Sequence, residues 1–233
     1  MTPGNLKIIS ADFVTSAAAG GTSAGIPRDG LPQIVMAGRS NVGKSTLINA
    51  LLRRQVARTS AAPGKTRLAN IFRIVAEGGG PGRWSLYLVD LPGYGYARGG
   101  ADAAQELAGV AEAYFREMGT ATFNRAEGAE KITVPITFLL VDSRHPGLES
   151  DLQAYTWLRS AGVEPFIVAT KIDKLSRAER TRNLRELERI FGKPALPVSA
   201  ERGEGLETLW TTIARLGRGA DRKGKAETEG TTT

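Results

Sequence analysis

Gly38-Arg39-Ser40-Asn41-Val42-Gly43-Lys44-Ser45 fits the pattern G-x-x-x-x-G-K-[ST]. This spacing builds a loop whose backbone N–H groups turn inward around a phosphate chain, at the positive end of a following helix. Gly38 and Gly43 can take backbone angles closed to residues with a Cβ. Lys44 would reach the β- and γ-phosphates, Ser45 would offer its hydroxyl to Mg²⁺, and Thr46 follows in the first helical turn. Downstream, Asp90-Leu91-Pro92-Gly93 closes an apolar run. An Asp there can hold the Mg²⁺ shell through water, and the Gly93 N–H can sense a γ-phosphate. Ala62-Pro63-Gly64-Lys65-Thr66 joins turn residues to a hydroxyl. Thr66 is the candidate switch ligand, joining Mg²⁺ when a γ-phosphate is present and leaving on hydrolysis. Lys44, Thr66 and Gly93 are therefore the groups expected to act on the transferred phosphate.

Two further pieces point to the base. In Thr170-Lys171-Ile172-Asp173 the Asp173 carboxylate can accept from guanine N1–H and its 2-amino group together. Adenine offers no such donor pair. The Lys171 stem can lie against the base. In Pro197-Val198-Ser199-Ala200 a backbone N–H, assigned to Ala200, can donate to guanine O6. Each piece alone is a common surface turn. Four in this order, each at the end of an expected strand, imply a guanine nucleotide site for GTP and GDP.

These motifs need elements to hold them. Ile34-Val35-Met36-Ala37 is a short apolar run suited to a buried strand, and the helix after the loop places apolar residues at 47, 48, 51 and 52. Residues 68–75 and 84–89 suit an antiparallel pair joined by the Gly-rich stretch 78–82. Residues 136–141, 165–169 and 195–198 are further strands. Helices are expected over 101–118, 148–161, from Ser176 with a capping-box pattern, and over 205–216. Alternating strands and helices predict an α/β fold: a mostly parallel sheet with helices on both faces and one antiparallel edge strand. Ligands of such sheets sit at the carboxyl ends of the strands, where the motifs fall. Residues 1–30 are expected to form an irregular arm, 31–216 the nucleotide-binding domain and 217–233 a disordered tail.

The chain has 233 residues, 41% of them hydrophobic, no cysteine and a formal net charge of +7. Absent cysteine leaves no thiol or disulfide chemistry and suits a cytoplasmic protein. No apolar run approaches the length of a membrane span, and the first residues do not resemble a signal peptide. From Ser45 to Ala76 there are six basic residues, Arg53, Arg54, Arg58, Lys65, Arg67 and Arg73, and no acidic one. That stretch suggests a polyanionic partner, RNA ahead of membrane.

The chain resembles the EngB (YihA) family of P-loop GTPases that act in ribosome assembly. The resemblance rests on Ala11-Asp12-Phe13-Val14, the phosphate loop, Arg58-Thr59-Ser60 with Pro63-Gly64-Lys65-Thr66, Asp90-Leu91-Pro92-Gly93-Tyr94-Gly95-Tyr96-Ala97, Asp142-Ser143-Arg144-His145-Pro146, Thr170-Lys171-Ile172-Asp173-Lys174-Leu175 and Ser199-Ala200. It runs from about residue 6 to 216; the stretches 78–82 and 119–134 and the tail depart from it. It implies a GTP-hydrolysing P-loop domain that is a monomer and acts with ribosomal RNA or the pre-ribosomal large subunit, with a link to cell division. Ras-like GTPases carry a water-orienting Gln after D-x-x-G. Here that place is Tyr94, so intrinsic hydrolysis is expected to be slow. Relatives use an Asn at position 41 to bind K⁺, which implies a K⁺ site at Asn41. His145 is the only histidine and lies outside the nucleotide motifs, so a structural or partner-facing role is expected of it.

Two other functions fit the phosphate loop alone. A P-loop kinase would need an arginine-bearing lid and an acceptor pocket, and has no use for T-K-x-D. A G domain regulating an RNA-modifying or membrane partner would draw that partner from another chain.

Overall fold

The computed structural model describes residues 6–17, 26–57, 68–78, 82–94, 109–116, 118 and 135–229. Seven strands form one sheet in the order β1-β3-β4-β2-β5-β6-β7. They are β1 (Lys7–Ala17), β2 (Gln33–Gly38), β3 (Ala69–Glu77), β4 (Arg83–Asp90), β5 (Ile136–Asp142), β6 (Phe166–Thr170) and β7 (Leu196–Pro197). The helices are α1 (Lys44–Leu52), α2 (109–116), α3 (Glu149–Ser160), α4 (Arg177–Phe191) and α5 (Leu206–Glu229).

Successive side chains of a strand point to opposite faces, and β2 shows what that requires here. Ile34 and Met36 pack in one core with Leu47, Ile48 and Leu51 of α1 and Leu209, Trp210 and Ile213 of α5. Val35 and Ala37 pack in the other with Tyr114 and Phe115 of α2, Leu158 of α3 and Leu187 and Phe191 of α4. Every residue of β2 is buried. A strand covered on both faces needs an unbroken apolar run, which is what the sequence supplies. The Trp210 indole donates to Leu51 O at 2.8 Å and ties α5 to α1.

In sheet order, the pairs β4–β2, β2–β5, β5–β6 and β6–β7 are parallel, with Met36 beside Asp90, Gly38 beside Leu140, Asp142 beside Thr170 and Ala169 beside Pro197. Their carboxyl ends therefore share one rim of the sheet. The expected antiparallel strand is β3, which pairs with β4 from Asn70↔Asp90 to Glu77↔Arg83.

Three boundaries differ from the sequence reading. β3 is not the edge of the sheet, because β1 lies antiparallel on its outer side. Residues 1–30 are thus not wholly irregular. The register of β1 shifts between Ile8 and Ser10 and again between Phe13 and Thr15. Two bulges break the period of two, so the strand does not show as simple alternation. At the other end α5 continues through Glu229 instead of ending near residue 216. The stretch 218–229 holds no proline, and its Arg, Lys, Ala and Glu favour helix while Gly219 and Gly224 disfavour it. Residues 79–81, 101–108 and 119–134 lie outside the described residues.

Candidate nucleotide-binding site

The phosphate loop is a tight turn between the last residue of β2 and the first of α1. A Cβ on Gly38 would lie 2.9 Å from Val42 Cγ1 and 3.1 Å from Leu140 O, so only glycine fits there. Gly43 has φ +102° and Asn41 φ +63°, left-handed angles that glycine, and less readily asparagine, adopts. Gly43 is the N-cap of α1, no side chain caps the helix, and its first turn has no acidic residue. The N–H groups at a helix start are orphan donors, and they sit at the positive end of the dipole. Nothing negative in α1 answers them. Ser45 and Thr46 stand in this first turn, half-buried and exposed respectively.

Lys44 is buried, and its ammonium donates to the carboxylate of Asp90 at the end of β4, which is also buried. The loop after β4 lies flat on the phosphate loop. Ser40 N donates to Tyr94 O at 2.8 Å and Ser40 Oγ to Gly93 O at 3.2 Å. A Cβ on Gly93 would meet Ser40 N at 2.9 Å, so this seam needs glycine. Leu91 and Pro92 are buried behind it, with Leu91 N donating to Met36 O at 3.2 Å. The Tyr94 hydroxyl turns away and donates to Asp151 Oδ1 in the first turn of α3 at 3.1 Å. Burial foremost, and the neighbouring Asp151, push the Tyr94 hydroxyl far above its ordinary pKa. Burial also pushes Asp151 up, opposed by the Tyr94 hydrogen bond and the Arg39 charge.

On the base side, Thr170 Oγ1 is 2.7 Å from Val42 O and 3.1 Å from Val141 O. Lys171, at φ +58°, sends Nζ back to Asn41 O at 2.6 Å. Its Cε lies 3.7 Å from where a Cβ on Gly43 would stand, so its stem runs along the phosphate loop. The Asp173 side chain is 4% exposed and lies 3.2 Å from Lys174 Nζ. Ser199 Oγ donates to Asp173 Oδ1 at 2.7 Å and accepts from Arg202 N at 3.0 Å. Burial pushes the Asp173 carboxyl up, but the Ser199 hydroxyl and Lys174 outweigh it and hold the group below its ordinary value. Val198 N donates to Ala169 O at 2.8 Å and Ile172 N to Val198 O at 3.4 Å, which brings Val198, Ser199 and Ala200 alongside the Asp173 turn.

The structure thus gathers Gly38–Thr46, Asp90–Gly93, Thr170, Lys171, Asp173 and Val198–Ala200 along the carboxyl rim of the sheet. Pro63, Gly64, Lys65 and Thr66 lie outside the described residues, as do Arg58, Thr59, Ser60, Gly95, Tyr96 and Ala97. His145 is exposed.

One residue at the centre was quoted in the sequence only as part of a signature. Asp142 ends β5 fully buried. Its carboxylate accepts from Arg144 N at 3.1 Å, Arg144 Nε at 2.9 Å, Arg144 Nη2 at 2.7 Å, Lys171 Nζ at 3.0 Å and Arg39 Nη2 at 3.4 Å. Burial alone would raise its pKa. The Arg144 and Lys171 bonds outweigh burial and hold the carboxyl well below the usual carboxylate range. Asp142 joins Arg39 of the phosphate loop to Lys171 of the base motif. The signal that could have found it is an ionisable residue closing an apolar central strand at the ligand rim.

A Gly-rich phosphate loop on a mostly parallel sheet, with a guanine-type carboxylate two strands away, defines a P-loop GTPase. A family model described as 50S ribosome-binding GTPase matches residues 33–171. "Probable GTP-binding protein EngB" of Pelotomaculum thermopropionicum is 39% identical over 215 residues, 90% of this chain and 96% of that protein. The protein of the same name from Chlorobaculum tepidum is 42% identical over 212 residues, 89% of this chain and 97% of that one. The chain belongs to the EngB family of GTP-binding proteins and is a GTPase that binds GTP and GDP. In fold it is similar to the crystal structure of a probable GTP-binding protein engB, with TM-score 0.55 and 24% identity over 80% of this chain and 98% of that one. A variant of Era from Aquifex aeolicus, bound to GDP and aluminium fluoride, gives TM-score 0.61 at 21% identity over 78% of this chain and 56% of that one.

Asp142 supplies a test of the buried network. A carboxyl held below its unfolded value stabilises the fold above the ordinary Asp pKa of about 3.9, and that stability is lost as pH falls toward the folded value. Asp142→Asn should lose about 3 kcal/mol at pH 7, because a neutral amide in this buried place cannot accept all five bonds or balance the charges of Arg39, Arg144 and Lys171. Urea unfolding of the parent should show stability falling from about pH 5 downward, and the variant should show a flatter profile. Equal profiles would mean that other carboxylates control acid stability.

Proposed function

We propose that this GTPase is a nucleotide-driven switch in the assembly of the large ribosomal subunit, working in the cytoplasm as a monomer. The observation that carries the switch is the seam between Ser40 and Gly93–Tyr94. It makes the loop after Asp90 a direct mechanical neighbour of the phosphates. The 50S ribosome-binding description of the family model and the basic stretch 45–76 support the ribosomal partner. Among the described residues no helix is long and apolar enough to cross a membrane.

Lys44 leaves Asp90 for the β- and γ-phosphates, and the loop from Gly38 to Thr46 cradles the phosphate chain with those N–H groups that Tyr94 O and Arg39 O do not take. The Gly93 N–H turns to the γ-phosphate. Asp173 accepts from the guanine edge, with Lys171 and Thr170 setting its loop, and Ala200 N–H donates to O6 beside Val198 and Ser199. Thr66, in Pro63-Gly64-Lys65-Thr66, is the switch ligand that joins Mg²⁺ when a γ-phosphate is present.

Mg²⁺ fits the residues present. Asp90 and Ser45 offer a carboxylate and a hydroxyl oxygen at the start of α1, the hard donors that Mg²⁺ takes. Among the described residues no group of three or more His, Cys, Asp or Glu could hold a metal by itself. A cation here would complete its shell with phosphate oxygens and water, the usual habit of Mg²⁺. Bound there, it would neutralise charge developing on the phosphates. K⁺ fits beside Asn41, whose side chain is exposed on the loop while its carbonyl is held by Lys171. With the Tyr94 hydroxyl committed to Asp151, no side chain among the described residues takes the place of a water-orienting Gln, and unassisted turnover is slow.

Three measurements test this reading. Asp173→Asn should weaken GDP binding by about 3 kcal/mol, roughly a hundredfold, through two lost charge-assisted hydrogen bonds. It should gain xanthosine nucleotide binding, since the amide can donate to a 2-oxo group; unchanged GDP affinity would refute the base assignment. GTP turnover should be faster in KCl than in NaCl for the parent and equal in the two salts for Asn41→Ala. A parent indifferent to the cation removes the K⁺ site. Purified chain should co-sediment with 50S particles more strongly with a non-hydrolysable GTP analogue than with GDP, and indifference to nucleotide would remove the switch.

A further inference from the structure

The exposed face of α4 holds a second concentration of positive charge, apart from the 45–76 stretch. All five basic residues of this helix are arginines: Arg177, Arg180, Arg182, Arg185 and Arg189. Its buried side carries Asn183, Leu187 and Phe191. Arg177, Thr181, Arg185 and Arg189 follow at four-residue intervals, so they form one row about 18 Å long. With Arg182 and Glu186 they line an open groove of about 790 Å³.

The ordinary reading of such a row is a solvated face laced with ion pairs. The pairing differs along it. Arg180 is taken by Glu204. Arg189 is held by Glu186 at 2.7 and 3.0 Å. Arg182 spends Nε on Asn183 Oδ1. Arg177 and Arg185 make no side-chain hydrogen bond or ion pair among the described residues. Two exposed guanidinium groups are left eight residues apart on one line. A planar guanidinium fork matches a phosphate with two hydrogen bonds, which a lysine ammonium cannot do. All of the groove's lining comes from α4, so it is an open helix face, which suits an extended polyanion better than a small enclosed ligand.

We propose that this arginine row docks the phosphate backbone of RNA, and that it does so whichever nucleotide is bound. This deepens the proposed ribosomal role by adding an RNA surface that the phosphate-sensing loops do not carry. The independence follows from where α4 is fastened. It starts at Ser176, directly after the Asp173 turn, in a reciprocal cap with Glu179. Its inner face is pinned by Asn183 Nδ2 to Ser143 O at 2.8 Å. Neither attachment involves the phosphate loop or the loop after Asp90.

The test uses the full chain and a fluorescein-labelled oligouridylate in anisotropy titrations over a series of KCl concentrations, with GDP and with a non-hydrolysable GTP analogue. Arg177→Glu with Arg185→Glu should weaken binding about tenfold or more and reduce the slope of log K against log salt by about 1.4, two single-strand phosphate contacts at about 0.7 each. The loss should be equal with both nucleotides. GDP affinity and thermal unfolding should match the parent. The Arg177→Lys, Arg185→Lys pair should keep most of the salt slope, and the Gln pair replaces the Glu pair if the latter unfolds. Parent-like RNA binding by the Glu or Gln pair overturns the proposal. If Arg53→Glu with Arg54→Glu then abolishes binding, the ribosomal role stands without this surface. A loss confined to the GTP analogue also overturns it. A parent that ignores oligouridylate but co-sediments with 50S particles refutes the RNA assignment of the row alone.

Discussion

A loop that binds phosphates must bury donors that no protein group satisfies. Here that constraint falls on the junction between β2 and α1. The first turn of α1 has no capping side chain and no acidic residue, and Lys44 is buried beside it. Unanswered N–H groups and an ammonium in one buried corner would be costly. Asp90 answers the ammonium. The glycines let the loop close tightly enough that the N–H groups converge. The remainder of the site is arranged around this concentration of positive potential, and the seam, the base motif and the Asp142 cluster each hold one side of it in place.

The Asp142 cluster ties the phosphate loop to the base motif. A buried carboxylate taken from water costs several kcal/mol unless its oxygens are fully bonded. Asp142 receives five donors from three residues. Two of those residues are Arg39, within the phosphate loop, and Lys171, within the base motif. Lys171 also holds the Asn41 carbonyl, and Thr170 lies against the Val42 carbonyl. Displacing the base loop therefore disturbs the phosphate loop through charge and through hydrogen bonds. The same cluster explains why Arg39 and Lys171 sit still enough to be useful, since long cationic side chains otherwise keep much rotamer freedom.

The sequence was most legible where a residue's type had a single physical use. Gly38, Gly43 and Gly93 each occupy a place that a Cβ would clash with or strain. The run 34–37 is apolar throughout, and 136–141 apolar but for the buried Thr137, because both faces of their strands are covered. Ser176 and Glu179 announced the start of α4, and the reciprocal cap is there. Legibility failed where the relevant partner is distant in sequence. β1 owes its place to pairing with β3 and carries two bulges, so its own pattern is irregular. Asp142 is a buried charge whose partner Arg144 is two residues on, but Arg39 and Lys171 come from distant motifs, and nothing local foretells those two. Asp151 on α3 looks like an ordinary first-turn acid complementing the helix dipole, yet it is buried and receives Tyr94.

That last contact bears on how a γ-phosphate could be sensed at all. Gly93 is held from both sides. Ser40 bonds the carbonyls of Gly93 and Tyr94, and Tyr94 is anchored by its hydroxyl to α3. For the Gly93 N–H to reach a γ-phosphate, the peptide must reorient against these bonds. Each ordinary hydrogen bond contributes about 0.5–1.5 kcal/mol net, and one to a charged group about 1.5–3 kcal/mol. The new bond to a phosphate oxygen and the bonds it strains are thus of similar size. A switch needs that near-balance, because a seam much stronger would ignore the phosphate and one much weaker would not return after its loss. In the proposed switch, Tyr94 would set that balance rather than orient water. An aromatic hydroxyl with a buried acceptor holds the loop in one position when the phosphate is gone, and a glutamine at that place, free to face the nucleotide, would surrender the anchor to gain the chemistry.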